Sequence, residues 1–365
     1  MHEIFLSGTG VHLPDAVLTS EELAEHYNQF IVSNSLPKRG SLKSSSADFM
    51  VEASGIKERR VIEKSGILSK MRPSLPYRRD EELSLQCELA LPAARQAMED
   101  AGKKPADIDA VIVATTYLQR PFPSIAIELQ SALGIDKGFA FDLSAACSSA
   151  SFGISAAYSY ICSDLASCVL VVSPEIYSCG LNYLDRTSHF IFGDGCSAAI
   201  IEKGTLCQKK DAYKILDISL KSQFSNNIRN NFGFMNRFMD GADAQKEEQF
   251  FKQNGKKVRE EIVPFASEHI LWHLQEKGID RTKVKRLWLH QANAHIIHQI
   301  AASILQREPA TGELPNVLPE YGNTGSAGVL IAFHENHRDL NSQEIGVLCS
   351  FGAGYAIGSV LLEKR

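Results

Sequence analysis

No stretch of this 365-residue sequence approaches the ~20 consecutive apolar residues that a membrane-spanning helix needs. The longest apolar runs, such as Ala110–Ala114 and Val169–Val172, are far shorter. The start, MHEIFLSGTG, lacks the basic region and apolar core of a secretory leader, so none is expected. Positive charge is not in excess either. The 38 Lys and Arg stand against 43 Asp and Glu, a net charge of −5, which argues against a nucleic-acid partner. No C-x-x-C pair occurs among the cysteines at 87, 147, 162, 168, 179, 196, 207 and 349. The chain therefore reads as reducing and cytoplasmic, with thiols that are mostly buried fillers. A hydrophobic content of 44% with 22% charged residues excludes a disordered, collagen-like or low-complexity chain. The length fits about two domains and can bury a large core without disulfide or metal staples.

The apolar run Glu3–Leu6 precedes Gly8-Thr9-Gly10, but Leu13 stands where a dinucleotide fingerprint needs its third glycine. A strand and a turn are expected there, not a cofactor loop. Residues 28–48 and 62–80, rich in Ser, Lys, Arg and Pro, read as surface insertions. The second holds Lys64, Lys70, Arg72, Arg78 and Arg79, either a solvated run or a contact for an anionic partner. Apolar residues at spacing four predict a helix over 81–102. Strands are expected at 109–116, 139–143, 167–173 and 195–203, with helices over 124–133 and about 147–163. The plan then recurs. Strands are expected at 213–220, 286–290, 345–350 and 355–364, with helices over 255–277, 293–305 and 325–339. Buried strands alternating with helices specify α/β layers. The repeated order points to a duplicated unit, with halves at 1–210 and 211–365. Residues 222–254 are expected to make an irregular excursion over the surface or over the site.

Four stretches carry chemical potential. In Asp142–Ala150 (DLSAACSSA) a strand ends, small residues follow, and Cys147 falls where a helix should begin. Unpaired N–H groups and the helix dipole at such a position stabilise a thiolate, so a lowered thiol pKa is expected. The plain alternative is one more small buried residue. In Leu287–Asn293 (LWLHQAN) an apolar strand ends at His290, where open α/β sheets bind ligands. The alternative is a hydrogen-bonded structural histidine. His295 and His298 follow at i, i+3, but no H-E-x-x-H occurs and no metal site is expected. His334 and His337 read as a polar helix face. Tyr321–Gly328 (YGNTGSAG) sets Asn323 among glycines just before a helix, as a plain turn also would. Ser350–Tyr355 (SFGAGY) is a glycine-rich turn between apolar strands. It is either a hairpin turn or a set of N–H groups facing an oxyanion.

Taken together, D-x-x-x-A-C-S-S, HQAN, GNTGS and FGAG resemble the thiolase-fold condensing enzymes, and most closely β-ketoacyl-acyl-carrier-protein synthase III. GTGVHLP, GIKERR at 55–60, VATT and PFPS at 113–124, and DRTSHFIFGDGCSAA at 185–199 extend the resemblance over nearly the whole chain. It implies a thiolase-like, duplicated, five-layered α-β-α-β-α fold with mixed sheets.

The resemblance also implies an acyltransferase. Cys147 is then the nucleophile that takes an acyl group from acyl-CoA. His290 and Asn323 hold the malonyl thioester carbonyl during decarboxylation. The backbone N–H groups of Cys147 and Ala353 form the oxyanion site. The expected product is a β-ketoacyl thioester, in fatty-acid initiation or a specialised lipid or polyketide pathway. Cys349 lies one residue from the register of a thiolase's second cysteine, which Ser350 occupies, and a strand turns alternate side chains to opposite faces. No Glu occurs in 117–124, so carboxylate-driven deprotonation is not expected. Arg186 matches the CoA-phosphate arginine and Asn293 the pantetheine contact. Phe49 stands in place of an adenine-stacking Trp, and Ala53 in place of a neighbouring Arg. Phe122 matches a residue reaching into the partner's acyl pocket, and Phe192 a pocket wall. His295 and Glu260 replace basic residues of the carrier-docking surface, with Lys256, Lys257 and Arg259 close by. A homodimer using acyl carrier protein as partner is expected, with no cofactor, metal or membrane. The alternative is an acyltransferase on the same fold that passes the acyl group to a hydroxyl or amine without condensation.

Overall fold

The structure is a computed structural model and describes residues 2–34, 43–233, 235–236 and 249–365. The first part of the chain contains β1 (Ile4–His12), β2 (Val17–Thr19), α1 (Ser20–Ser33), α2 (Ala47–Ser54), β3 (Glu58–Arg60), α3 (Ser65–Lys70) and α4 (Leu85–Asp100). It continues through β4 (Ala110–Ala114), α5 (Ile125–Ala132), β5 (Phe139–Leu143), α6 (Ser149–Cys162), β6 (Cys168–Glu175) and β7 (Gly195–Lys203). The second part contains β8 (Tyr213–Ser222), β9 (Ile228–Arg229), β10 (Lys252–Gln253), α7 (Gly255–Glu276), β11 (Val284–Leu289), α8 (Ala294–Leu305), α9 (Leu318–Tyr321), α10 (Ala327–Glu335), β12 (Ile345–Gly352) and β13 (Ala356–Lys364).

Nine of these strands form one mixed sheet in the order β11-β12-β13-β8-β1-β7-β6-β4-β5. The pairing is the same on each side of its centre. β4 runs parallel to β6, and β7 lies antiparallel between β6 and β1. Likewise β11 runs parallel to β12, and β13 lies antiparallel between β12 and β8. The two sides join through only Phe5–Lys214 and Leu6–Tyr213, so the sheet folds over at β1 and β8.

That fold-over creates five layers. Helices α6 and α10 lie in the middle, touching strands of both sides. Helices α4 and α5 cover the outer face of the first side, and α7 and α8 the outer face of the second. Alternation within the apolar strands follows from this sandwich. Ala110, Ile112 and Ala114 face the central helices, whereas Val111 and Val113 face α4 and α5. Trp288 and Leu348 face inward, whereas Leu287, Leu289, Val347 and Cys349 face α7 and α8. Each fully buried Val, Leu or Ile contributes roughly 1.5–3 kcal/mol, and three contiguous cores are built this way.

Several boundaries differ from the sequence reading. The Gly8-Thr9-Gly10 triplet is not a turn but lies inside β1. Its glycines let α4 approach: a Cβ on Gly8 would sit 2.4 Å from the Ala97 carbonyl oxygen, and one on Gly10 2.1 Å from that of Ala93. The segment 28–48 is not wholly insertion, since α1 runs to Ser33 and Ser46 caps α2, while 35–42 lie outside the described residues. The segment 62–80 contains α3, tied down by the Glu63 carboxylate, which accepts from the N–H groups of Gly66 and Ser74. Lys64 there pairs with Glu22 and Arg78 with Glu88, while Lys70, Arg72 and Arg79 are exposed. His337 is not on a polar face but buried and stacked on Phe333.

Because the α4 backbone cannot yield to a methyl group at this distance, Gly10→Ala is expected to destabilise the chain by about 3 kcal/mol or more. Urea denaturation followed by circular dichroism measures this.

Candidate active site

The Cys147 loop is built from small residues for a reason. β5 ends at Leu143, α6 begins at Ser149, and Cys147 sits in the tight turn between them. Ala146 takes φ +50°, a conformation that costs energy for any residue with a Cβ and is held only by its surroundings. The Ser149 hydroxyl accepts from the Ala145 N–H and lies within hydrogen-bond reach of the Ala146 and Thr115 carbonyls. The Ser148 hydroxyl donates to the carbonyl of Ala356 across the fold. Gly352, at the end of β12, closes the other side. A Cβ there would lie 2.6 Å from the Cys147 Cβ and 3.2 Å from its Sγ.

His290 follows directly after β11, and its N–H donates to the Cys349 carbonyl. Its ring packs edge-on against Phe351 at 5.4 Å. Nδ1 is buried with no partner among the described residues, which leaves Nε2 as the nitrogen for a ligand. Asn323 is bound into a short bridge with Phe192: its N–H donates to the Ile191 carbonyl, and its carbonyl accepts from the Gly193 N–H. The side-chain Oδ1 accepts from the Gly325 N–H at 3.0 Å, which orients the carboxamide and frees its NH₂ as a donor.

Cys147, His290 and Asn323 all line one cavity of about 420 Å³, with Phe192, Phe351 and Gly352. The three are buried, whereas Lys256, Arg259 and His295, which line the same cavity, are exposed and mark its mouth. The 222–254 excursion supplies Ile228, Phe251 and Gln253 to the lining, so it runs over the site. Cys349 faces away, buried among α7 and α8, and the Ser350 hydroxyl instead bonds that of Ser151 on α6 at 2.7 Å.

Electrostatics contradicts one expectation. The Cys147 thiol is not depressed but pushed up to about 12, first by burial and then by the nearby Glu175 carboxylate. The Tyr177 hydroxyl, 3.9 Å from Sγ, and the N–H groups of Ala353 and Cys147 pull it down but do not prevail. At rest the sulfur is a neutral thiol. Burial alone holds the His290 imidazole down at about 4, so that ring is uncharged as well.

The remaining candidates are divided between the cavity's outer lining and the surface beyond it. The Arg186 guanidinium lies 3.6 Å from the Phe49 ring centroid and its Nε donates to the Ser44 carbonyl. A flat ring stacking on that face would have to displace Arg186. Asn293 lines the cavity, but both ends of its carboxamide are engaged: Oδ1 caps α8 and Nδ2 donates to the Ala53 carbonyl. His295 meets the Glu52 carbonyl, and Glu260 lies 3.9 Å from Lys256 on the exposed face of α7. Phe122 is 80% exposed. Among the described residues no helix is long and apolar enough to cross a membrane, and no cluster of three metal-ligating side chains occurs.

The family models for 3-oxoacyl-(acyl-carrier-protein) synthase III match residues 141–223, and the C-terminal one residues 274–364. A beta-ketodecanoyl-(acyl-carrier-protein) synthase from Pseudomonas aeruginosa is 49% identical over 89% of this chain and 93% of its own. The chain belongs to the 3-oxoacyl-(acyl-carrier-protein) synthase III family. A beta-ketoacyl-(acyl-carrier-protein) synthase III from Brucella anthropi is 30% identical over 91% of this chain and 97% of its own. The crystal structure of the Aquifex aeolicus synthase III superposes with a TM-score of 0.76 at 26% identity, covering 99% of both chains. The fold is thus the thiolase-like five-layered one, and the chain is an acyltransferase that makes β-ketoacyl thioesters by Claisen condensation.

Sequence reasoning passed over Tyr177 and Glu175. The signal for the latter was a lone carboxylate closing the apolar strand CVLVVSPE. Gly352→Ala is expected to displace Cys147 and cut its acylation rate on the order of 10²-fold while leaving the circular dichroism spectrum unchanged. Stopped-flow acyl transfer with mass detection reads the rate.

Proposed function

We propose that Cys147 takes an acyl primer from acyl-CoA and that His290 and Asn323 bind the malonyl thioester of acyl carrier protein. In the first step the sulfur–acyl bond forms, the primer's thioester bond breaks, and the thiol proton passes to the departing thiolate. In the second, the malonyl carboxylate leaves as CO₂ and its electron pair becomes an enolate. The His290 Nε2 and the Asn323 NH₂ hold that oxygen. The enolate carbon attacks the acyl carbon, whose oxyanion rests on the N–H groups of Cys147 and Ala353; the oxyanion collapses, and the Cys147 sulfur leaves as a thiolate that takes a proton from solvent to regenerate the thiol. The observation that carries this reading is the meeting of three buried side chains from distant segments in one cavity beside Gly352.

The relative named for a ten-carbon β-ketoacyl product supports a medium-length primer. Two of those carbons come from malonate, so the primer is an eight-carbon acyl group. The aromatic wall of Phe192, Phe251 and Phe351 suits such a chain. With Arg186 on the Phe49 ring, Arg186 must swing aside to admit the nucleotide end of CoA. Lys256 and Arg259 at the mouth suit an acidic carrier. We place the enzyme in the cytoplasm as a homodimer of two-part chains (1–210 and 211–365). The dimer contact is edge strand β5 with the protruding Phe122.

Incubation with a mixed acyl-CoA panel and malonyl carrier protein, read by mass spectrometry, is expected to show an eight-carbon adduct on Cys147 and stoichiometric CO₂. An unmodified Cys147, or an adduct formed without CO₂ release, overturns the reading. Asn323→Ala is expected to slow CO₂ release by ~10²–10³ while Cys147 still becomes acylated, since only the malonyl step uses that donor.

A further inference from the structure

We propose that Glu175 is a positioning residue of the condensation site, and that its carboxylate locks the Asn323 turn to the strand end that carries the Cys147 loop. This rests on the role given above to Asn323. Glu175 is fully buried at the end of β6. Its Oε1 accepts four hydrogen bonds: the Thr116 N–H at 2.9 Å and hydroxyl at 2.8 Å, and the Ser326 N–H at 3.0 Å and hydroxyl at 2.5 Å. Its Oε2 is buried with no partner among the described residues. Leaving a buried acceptor unmet is costly, so what anchors this group is the four bonds to its other oxygen.

The two donor pairs come from the two sides of the site. Thr115 and Thr116 follow β4, and the Cys147 loop hangs from both: the Ser149 hydroxyl reaches the Thr115 carbonyl at 3.1 Å and the Ser144 hydroxyl the Thr116 carbonyl at 3.3 Å. Ser326 belongs to the turn that carries Asn323, and its hydroxyl also lies 3.1 Å from the Ala114 carbonyl. Between them sits Gly325, at φ +56°. A Cβ there would lie 2.9 Å from the Glu175 carboxyl carbon and 2.8 Å from the Tyr177 ring. The N–H of this same Gly325 fixes the Asn323 Oδ1. The carboxylate therefore sets the height of the turn and, through it, the aim of the carboxamide. Cys147 keeps its own supports, Gly352 and the Ser148–Ala356 bond, when the carboxylate is removed.

The test separates two half-reactions in the full-length enzyme: acylation of Cys147 by acyl-CoA, and CO₂ release from malonyl carrier protein. Glu175→Ala is expected to lower kcat for CO₂ release about tenfold or more, as a misaimed donor does, with acylation at or above the native rate, because the charge that raises the Cys147 thiol is gone. Glu175→Gln keeps an oxygen acceptor facing Thr116 and Ser326, and is expected to restore CO₂ release to within about threefold. Native CO₂ release in Glu175→Ala, or a parallel fall of both half-reactions with no rescue by Gln, overturns the proposal. If the Ala variant does not fold, Ser326→Ala is held to the same split. A native enzyme that acylates but never releases CO₂ sinks the reading of Asn323 itself, and this proposal with it.

Discussion

A missing side chain holds the candidate site together. Gly352 presses its backbone against Cys147 so closely that one methyl group would overlap the cysteine's Cβ. The contact joins a loop from the first part of the chain to a strand end from the second. The positive φ at Ala146 is sustained in the same place, because Ser149, Thr115 and Ala356 grip the loop on every side. A strained turn persists only where its surroundings over-determine it. The five layers supply that rigidity, with α6 clasped between strands of both sides.

The duplicated pairing gives this contact a counterpart. Glu175 ends β6 opposite Gly195, as Gly352 ends β12 opposite Ala356. The strands β6 and β12 occupy equivalent places in the sheet, each with a parallel neighbour on one side and an antiparallel one on the other. At one place a bare glycine meets the residue leading into α6. At the other a carboxylate meets the residues leading into α10. The two central helices thus begin at two related points of one cavity, one bringing a sulfur and the other a carboxamide. The repeated pairing thus sets Cys147 and Asn323 in corresponding positions, each just ahead of a central helix.

The cavity's charge pattern follows from its depth. Its mouth carries Lys256 and Arg259, while its floor carries an uncharged imidazole, a neutral thiol and phenyl rings. For the anionic substrate proposed above, the mouth is attractive and the floor offers little to solvate a carboxylate. In the reaction proposed above, such a floor favours loss of the charge as CO₂, with the two neutral donors assigned to the oxygen that becomes negative.

How much of this could be read in the residues depends on the physics behind each feature. Continuous apolar strands and period-four helices were legible because local pattern encodes them, whereas Cys147, His290 and Asn323, each ambiguous in its own stretch, were grouped by the family resemblance and do line one cavity. Gly8 and Gly10 were misread as a turn, since glycine required by a neighbouring helix looks the same in sequence as glycine required by φ. The thiol's pKa was misjudged for a related reason. The helix start was visible, but the burial and the Glu175 charge that oppose it come from segments remote in sequence. Glu175 itself was hidden in an apolar strand, its meaning supplied only by Thr116 and Ser326 across the fold. Local chemistry is thus written where it acts, whereas the electrostatics of a buried site belongs to whichever segments the topology brings against it.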